Sequence, residues 1–150
     1  QLSADAVEFA PLAPVIYAFA FTNDNAPTQM PTGGSATVNL TIQNTGNFPW
    51  QAQGQDAVQL VYRWLDSQGK VLSTSKPISL AQDLALKASE PLSVSVQAPT
   101  QAGAYTLQWD LVQEKRIFSK LGAQPKNDNV SVGSPVNSPV NTPTPVSKPK

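Results

Sequence analysis

The chain contains no cysteine and no histidine. Disulfides, thiolate nucleophiles and the two commonest ligand types for transition metals are therefore excluded. So is the imidazole on which most nucleophilic triads depend. Charge is scarce as well. Charged residues make up 13% of the 150, against about a quarter in an average domain. The 10 basic and 10 acidic residues cancel. No basic patch stands out, so the electrostatic footprint of a nucleic-acid binder is missing. Long apolar runs are missing too. The longest, Val15 to Phe21, is far shorter than a membrane span and ends in Thr22-Asn23-Asp24-Asn25. No glycine-rich phosphate loop is present. No cofactor, no metal site, no nucleic-acid partner and no membrane insertion by this segment are expected.

What replaces charge is Gln, Ser, Thr and Asn, a polarity that suits the surface of an extracellular β-domain. The apolar residues recur with a period of two. Large side chains fall on odd positions in Val15-Ile16-Tyr17-Ala18-Phe19-Ala20-Phe21, which predicts a first strand. Pro27, Pro31, Gly33 and Gly34 read as a turn region. Ala36, Val38, Leu40 and Ile42 then alternate with Thr37, Asn39, Thr41 and Gln43. A further strand is predicted from about Ala57 to Leu65, with Val58, Leu60, Tyr62 and Trp64 on one face. Asp66-Ser67-Gln68-Gly69 predicts a hairpin into Val71-Leu72. Ile78 and Leu80 suggest a short strand, at an edge because of Pro77. Leu84 to Ala88 reads as a loop, not a helix. Leu92, Val94 and Val96 mark another strand. So do Tyr105, Leu107, Trp109 and Leu111, and a last one covers about Asn129 to Val132.

About seven short strands without a helical period predict an all-β, antiparallel, immunoglobulin-like sandwich. It is expected over residues 15–133, after a lead-in at 1–14. From Ser134 the chain turns to Ser134-Pro135-Val136-Asn137, Ser138-Pro139-Val140-Asn141 and Thr142-Pro143-Thr144-Pro145. Residues 134–150 therefore read as a disordered, Pro/Ser/Thr-rich spacer that cannot bury a core.

Three pieces carry a resemblance. They are Val38-Asn39-Leu40-Thr41-Ile42-Gln43-Asn44-Thr45-Gly46 leading to Trp50, then Leu60-Val61-Tyr62-Arg63-Trp64-Leu65-Asp66 with Gly69, then Ala98-Pro99 with Gly103 to Val112. In order and spacing this resembles an Ig-like accessory domain of bacterial multidomain surface and envelope proteins, often attached to glycan-handling enzymes. It is more distantly similar to the four-tryptophan Ig-like domain of autophagy cargo receptors. The resemblance implies a non-catalytic module of an exported bacterial protein, at the cell surface, outside the cell or in the periplasm. The bacterial domain continues its last motif with a Glu-Gly turn and an aromatic pair. Here Glu114 and Phe118 remain, without the glycine and the second ring. The chain has three tryptophans, and the autophagy-type function is not implied.

Trp64 and Trp109 sit on alternating faces in mid-strand, as core tryptophans do. Tyr105, just after Gly103, suits a tyrosine corner. These are structural roles. Trp50 follows Phe48-Pro49 in a turn, where three readings stay open. It plugs one end of the sandwich, stands exposed as a platform for a sugar ring with Phe48, Gln51, Gln53 and Gln55 beside it, or makes a protein contact. Asp56, Asp66, Asp83 and Asp110 lack the spacing of a catalytic carboxylate pair. Asp110 is placed outward, where a Lys or Arg across the strand can pair with it. Asn23-Asp24-Asn25 and Asn127-Asp128-Asn129 carry oxygen ligands but not the spacing of a calcium loop.

Two functions follow. The leading one is a structural and interaction module that spaces or stabilises neighbouring domains or contacts a protein partner. The alternative is a carbohydrate-binding module centred on Trp50 and the outward sheet faces, with polysaccharide as partner. Fold does not choose between them.

Overall fold

The computed structural model describes residues 14–133. The expected lead-in, apart from Pro14, and the expected Pro-rich spacer lie outside the described residues. Among the described residues, ten strands alternate with turns. They are β1 (Phe19–Thr22), β2 (Gln29–Met30), β3 (Ser35–Asn44), β4 (Val58–Leu65), β5 (Val71–Thr74), β6 (Ile78–Ser79), β7 (Ser89–Gln97), β8 (Gly103–Gln113), β9 (Arg116–Ile117) and β10 (Lys126–Val132). A single 3-10 turn, Phe118–Leu121, lies between the last two. Three strands are only two residues long, β2, β6 and β9. The other seven form the expected sandwich.

The strands form two sheets. The smaller runs β1-β3-β7, all antiparallel. The larger runs β2-β10-β8-β4-β5, with β6 on β4 and β9 on β8. Every pair is antiparallel except β2 with β10. Period-two alternation delivers Val38, Leu40 and Ile42 from β3 and Val94 and Val96 from β7 to the space between the sheets. Val58, Leu60 and Trp64 from β4 meet them there, with Leu107, Trp109 and Leu111 from β8. Burying each such aliphatic side chain contributes roughly 1.5–3 kcal/mol.

Pro91 sits in β7, an edge strand, where one backbone side needs no ladder donor. β4 is central and is covered on both faces. Val61 and Arg63, which point away from the core, are 3% and 8% exposed.

The first strand is shorter than the sequence pattern suggests. Val15 and Ile16 are exposed, and regular pairing starts at Phe19. Residues 14–18 are held instead by one side chain of the 45–50 loop. Asn47 accepts the Ile16 N–H at 2.8 Å through Oδ1 and donates to Pro14 O at 2.8 Å through Nδ2. The 27–34 turn region holds β2 as well. The final strand begins three residues earlier than the apolar alternation implies, because Lys126, Asn127 and Asp128 also pair with β8.

Candidate functional site

The region around Trp50 is built on Asn44, the last residue of β3. Asn44 is fully buried. Its Nδ2 donates to Phe48 O at 2.9 Å and Leu84 O at 3.2 Å, and its Oδ1 accepts the Gly46 N–H at 3.0 Å. One amide thus fixes two loops at one end of the sandwich. Trp50 and Leu84 then exchange both backbone hydrogen bonds, each at 2.9 Å. This pairing turns the Trp50 ring inward, edge-on to Phe118 with centroids 5.9 Å apart.

Trp50 is 0% exposed, so its ring is no exposed platform. The reading that stacked a sugar on Trp50 itself is corrected. The plug reading matches the position of the ring. Its indole N–H has no acceptor among the described residues.

What reaches solvent at this end is the rim of the cluster. Tyr17 and Phe48 are half-buried. They meet edge-to-face at 5.4 Å, and Tyr17 meets Phe118 at 5.0 Å. The segment after Phe48 opens a shallow hollow of about 590 Å³, with Pro49, Gln51, Gln53, Gln82 and Asp83 in its wall. Asp83 Oδ1 accepts the Ala52 N–H at 2.8 Å and fixes that wall. Gln51 and Gln53 are exposed, as is Gln55 on the same loop. The amides expected beside Trp50 are therefore available, although the indole is not.

Trp64 and Trp109 are buried at 2% and 0% exposure. Trp64 Nε1 donates to Gln97 O at 2.8 Å, which ties β4 of the large sheet to β7 of the small one. Trp109 Nε1 donates to Asp128 Oδ2 at 2.9 Å. The Tyr105 hydroxyl donates to Gln101 O at 2.8 Å, the geometry of a tyrosine corner. Its ring lies 6.1 Å from that of Trp64.

The carboxylates are spent on architecture. Asp110, 0% exposed, accepts from Arg63 at 2.8 Å and from the N–H groups of Leu111 at 2.8 Å and Ser119 at 3.1 Å. The Ser119 hydroxyl donates to it as well. Asp66 Oδ1 accepts the Gln68 and Lys70 N–H groups, both at 2.9 Å, and holds the β4–β5 turn. Among the described residues no group of three His, Cys, Asp or Glu gathers as a metal cluster.

The two Asn-Asp-Asn stretches do meet. The parallel β2–β10 pairing draws the loop before β2 alongside β10. Lys126 Nζ lies 3.5 Å from Asp24 Oδ2 and 3.0 Å from Asp128 Oδ1. Burial, then the hydrogen bond with Asp128, raises the Asp24 pKa above its ordinary value. Burial works against ionisation of Asp128 too, but hydrogen bonds from Asp24, Lys126 and Trp109 hold its pKa below the ordinary value. The hydrogen bond to Asp128 raises the pKa of Lys126. An ammonium occupies the position a cation would take. Sequence reasoning flagged both stretches but not their meeting, since nothing local signals a parallel pair.

In the sequence Phe118 stands out only as the remaining ring of a motif. It is 0% exposed and touches Tyr17, Phe19, Phe48 and Trp50.

No protein-family model and no curated protein matches the chain. Solved structures do. A CARDB domain from Pyrococcus furiosus is 16% identical with a TM-score of 0.42, over 77% of this chain and 91% of that one. An alkylpurine DNA glycosylase from Pseudomonas fluorescens is 10% identical with a TM-score of 0.46, over 77% of this chain and 30% of the glycosylase. A β-glucosidase from Listeria innocua is 10% identical with a TM-score of 0.43, over 77% of this chain and 16% of the enzyme. The chain thus spans a minor part of both enzymes. The likeness is distant, and it is one of all-β sandwich architecture.

Proposed function

We propose that this domain is a non-catalytic interaction module of an exported bacterial protein, and that its ligand class is carbohydrate. One observation carries the reading: half-exposed Phe48, with Tyr17 edge-to-face on it, leads directly into Pro49, which walls a hollow together with Gln51, Gln53 and Gln82. Aromatic side chains with a few convergent amides suit neutral, hydroxyl-bearing ligands, ring faces packing on C–H groups and amides bonding to hydroxyls. The indole of Trp50 supports this rim from beneath rather than touching the ligand. A location at the cell surface, outside the cell or in the periplasm accompanies the reading.

A glycan array followed by calorimetry tests it. Saturable binding that Gln51→Ala/Gln53→Ala weakens roughly tenfold is the expected result. No glycan binding by the folded domain would overturn it.

A second reading, spacing of neighbouring domains or contact with a protein, is favoured by β5. This edge strand is exposed along its whole length, with Val71 and Leu72 each 48% exposed. Unpaired edges of this kind accept another chain. Protection of the β5 amides from exchange in the multidomain protein, but not in the isolated domain, is the outcome that reading expects.

A further inference from the structure

The outer face of the small sheet differs from the rest of the molecule. Among the residues of β1, β3 and β7, Glu90 alone is ionisable. Glu90 is 3% exposed and turned away from that face, accepting the N–H groups of Ala81 at 2.7 Å and Gln82 at 3.2 Å. Apart from Ala20 and Pro91, the positions facing out carry hydroxyls and amides. Thr37 pairs with Ser95, Asn39 with Ser93 and Ser35 with Gln97 across the β3–β7 ladder, and all six are exposed. An ordinary soluble surface carries about 25–35% charged side chains. The chain does place charges on other exposed segments, Glu114, Lys115 and Arg116 among them.

Such a face has definite recognition chemistry. Strand spacing of about 4.8 Å and a same-face repeat of about 6.8 Å set its groups in a regular array. Each hydroxyl or amide both donates and accepts. The array is partly ordered already, since Ser93 Oγ donates to Asn39 Oδ1 at 2.6 Å. Short side chains lose little rotamer freedom on contact. No charge has to be desolvated when a neutral surface is laid against it. The face also lacks the aromatic and arginine anchors on which protein interfaces depend, and an open sheet face cannot enclose a single sugar. A partner that is neutral, hydroxyl-rich, flat and repetitive satisfies all these conditions, through many weak contacts made together.

We propose that the outer face of the β1-β3-β7 sheet docks on the surface of an ordered, neutral polysaccharide. This rests on the carbohydrate reading above and adds a second, extended surface to it.

The test is depletion of the folded domain by microcrystalline cellulose and by chitin, two neutral polymers that differ in their sugar, at low and high salt. Binding to either that does not weaken with salt, and that falls roughly tenfold or more in Thr37→Lys/Ser95→Lys, is the expected result. Asn39→Asp, which adds charge without bulk, gives the same loss if the lysine pair disturbs folding. Lys115→Ala, on the exposed turn between β8 and β9 and outside both surfaces, should keep its affinity for the insoluble polymer. Undiminished binding by the charged variants overturns the proposal. Binding to soluble oligosaccharides alone also overturns it while leaving the carbohydrate reading intact. No binding to any glycan overturns both.

Discussion

Arg63 and Asp110 form an ion pair at 2.8 Å on the side of the large sheet that faces away from the core, yet both are buried. Arg63 Nη1 also donates to Gln108 Oε1 at 3.0 Å. Two backbone N–H groups and a hydroxyl complete the shell of Asp110. Removing one partner leaves the other charge buried and uncompensated. Asp110→Ala should cost about 3–5 kcal/mol, whereas Arg63→Met/Asp110→Leu should recover most of that loss. Urea unfolding of both variants measures this. A single variant as stable as the parent would show that the pair does not matter.

Tyr105→Phe deletes one hydroxyl and its bond to Gln101 O. The ring keeps its place against Trp64. The carbonyl of Gln101, which is exposed, can turn to water, so the loss should lie at about 1 kcal/mol. An unchanged urea midpoint would mean that the corner is ornamental.

Glu114 opens the β8–β9 turn at φ 55°, a left-handed conformation that costs a residue with a Cβ about 1–2 kcal/mol. Glu114→Gly gives up the exposed 3.4 Å pairing with Arg116, which stabilises little. A net gain of about 1 kcal/mol is expected, seen as a higher thermal midpoint. A lower midpoint would mean that Glu114 holds the turn by its side chain.

The Asp24–Lys126–Asp128 group makes stability depend on pH in two opposed ways. Asp24 has a raised pKa. The folded state holds its proton more tightly than the unfolded state, so this contribution fades as pH climbs from about 3.8 through the raised value. Asp128 has a lowered pKa. Its contribution is present above about 3.8 and is lost as pH falls through the lowered value. Asp24→Asn removes the first effect and keeps an acceptor for the Ala26 N–H. Relative to the parent, the variant should therefore gain stability as pH rises above about 3.8. Parallel stability curves for the two proteins would refute the assignment.

Much of the sandwich was legible because alternation is a local signal. Val38, Leu40 and Ile42 declare their face within one strand, and so do Leu107, Trp109 and Leu111. Phe118 declares nothing, since a four-residue 3-10 turn has too little length to show a period. Its burial is decided by Tyr17, Phe19, Phe48 and Trp50 arriving from other elements. Trp50 was ambiguous for the same reason. A turn position is compatible with either face, and the pairing with Leu84 settles it from more than thirty residues away. Asp110 was correctly placed outward, but its burial under Ser119 depends on how the chain returns after β9. The meeting of Asp24 and Asp128 depends on a parallel pairing between distant segments.

All three indoles lie inside the folded domain, at 0%, 2% and 0% exposure for Trp50, Trp64 and Trp109. Two of them donate to fixed oxygens. The intrinsic emission of this protein should therefore be blue-shifted and hard for iodide or acrylamide to quench. It should also respond little to a ligand resting on either sheet. Unfolding would expose every indole at once and shift the spectrum to the red. The tryptophans are thus a built-in optical gauge of folding, and docking has to be followed by a signal that the ligand itself carries.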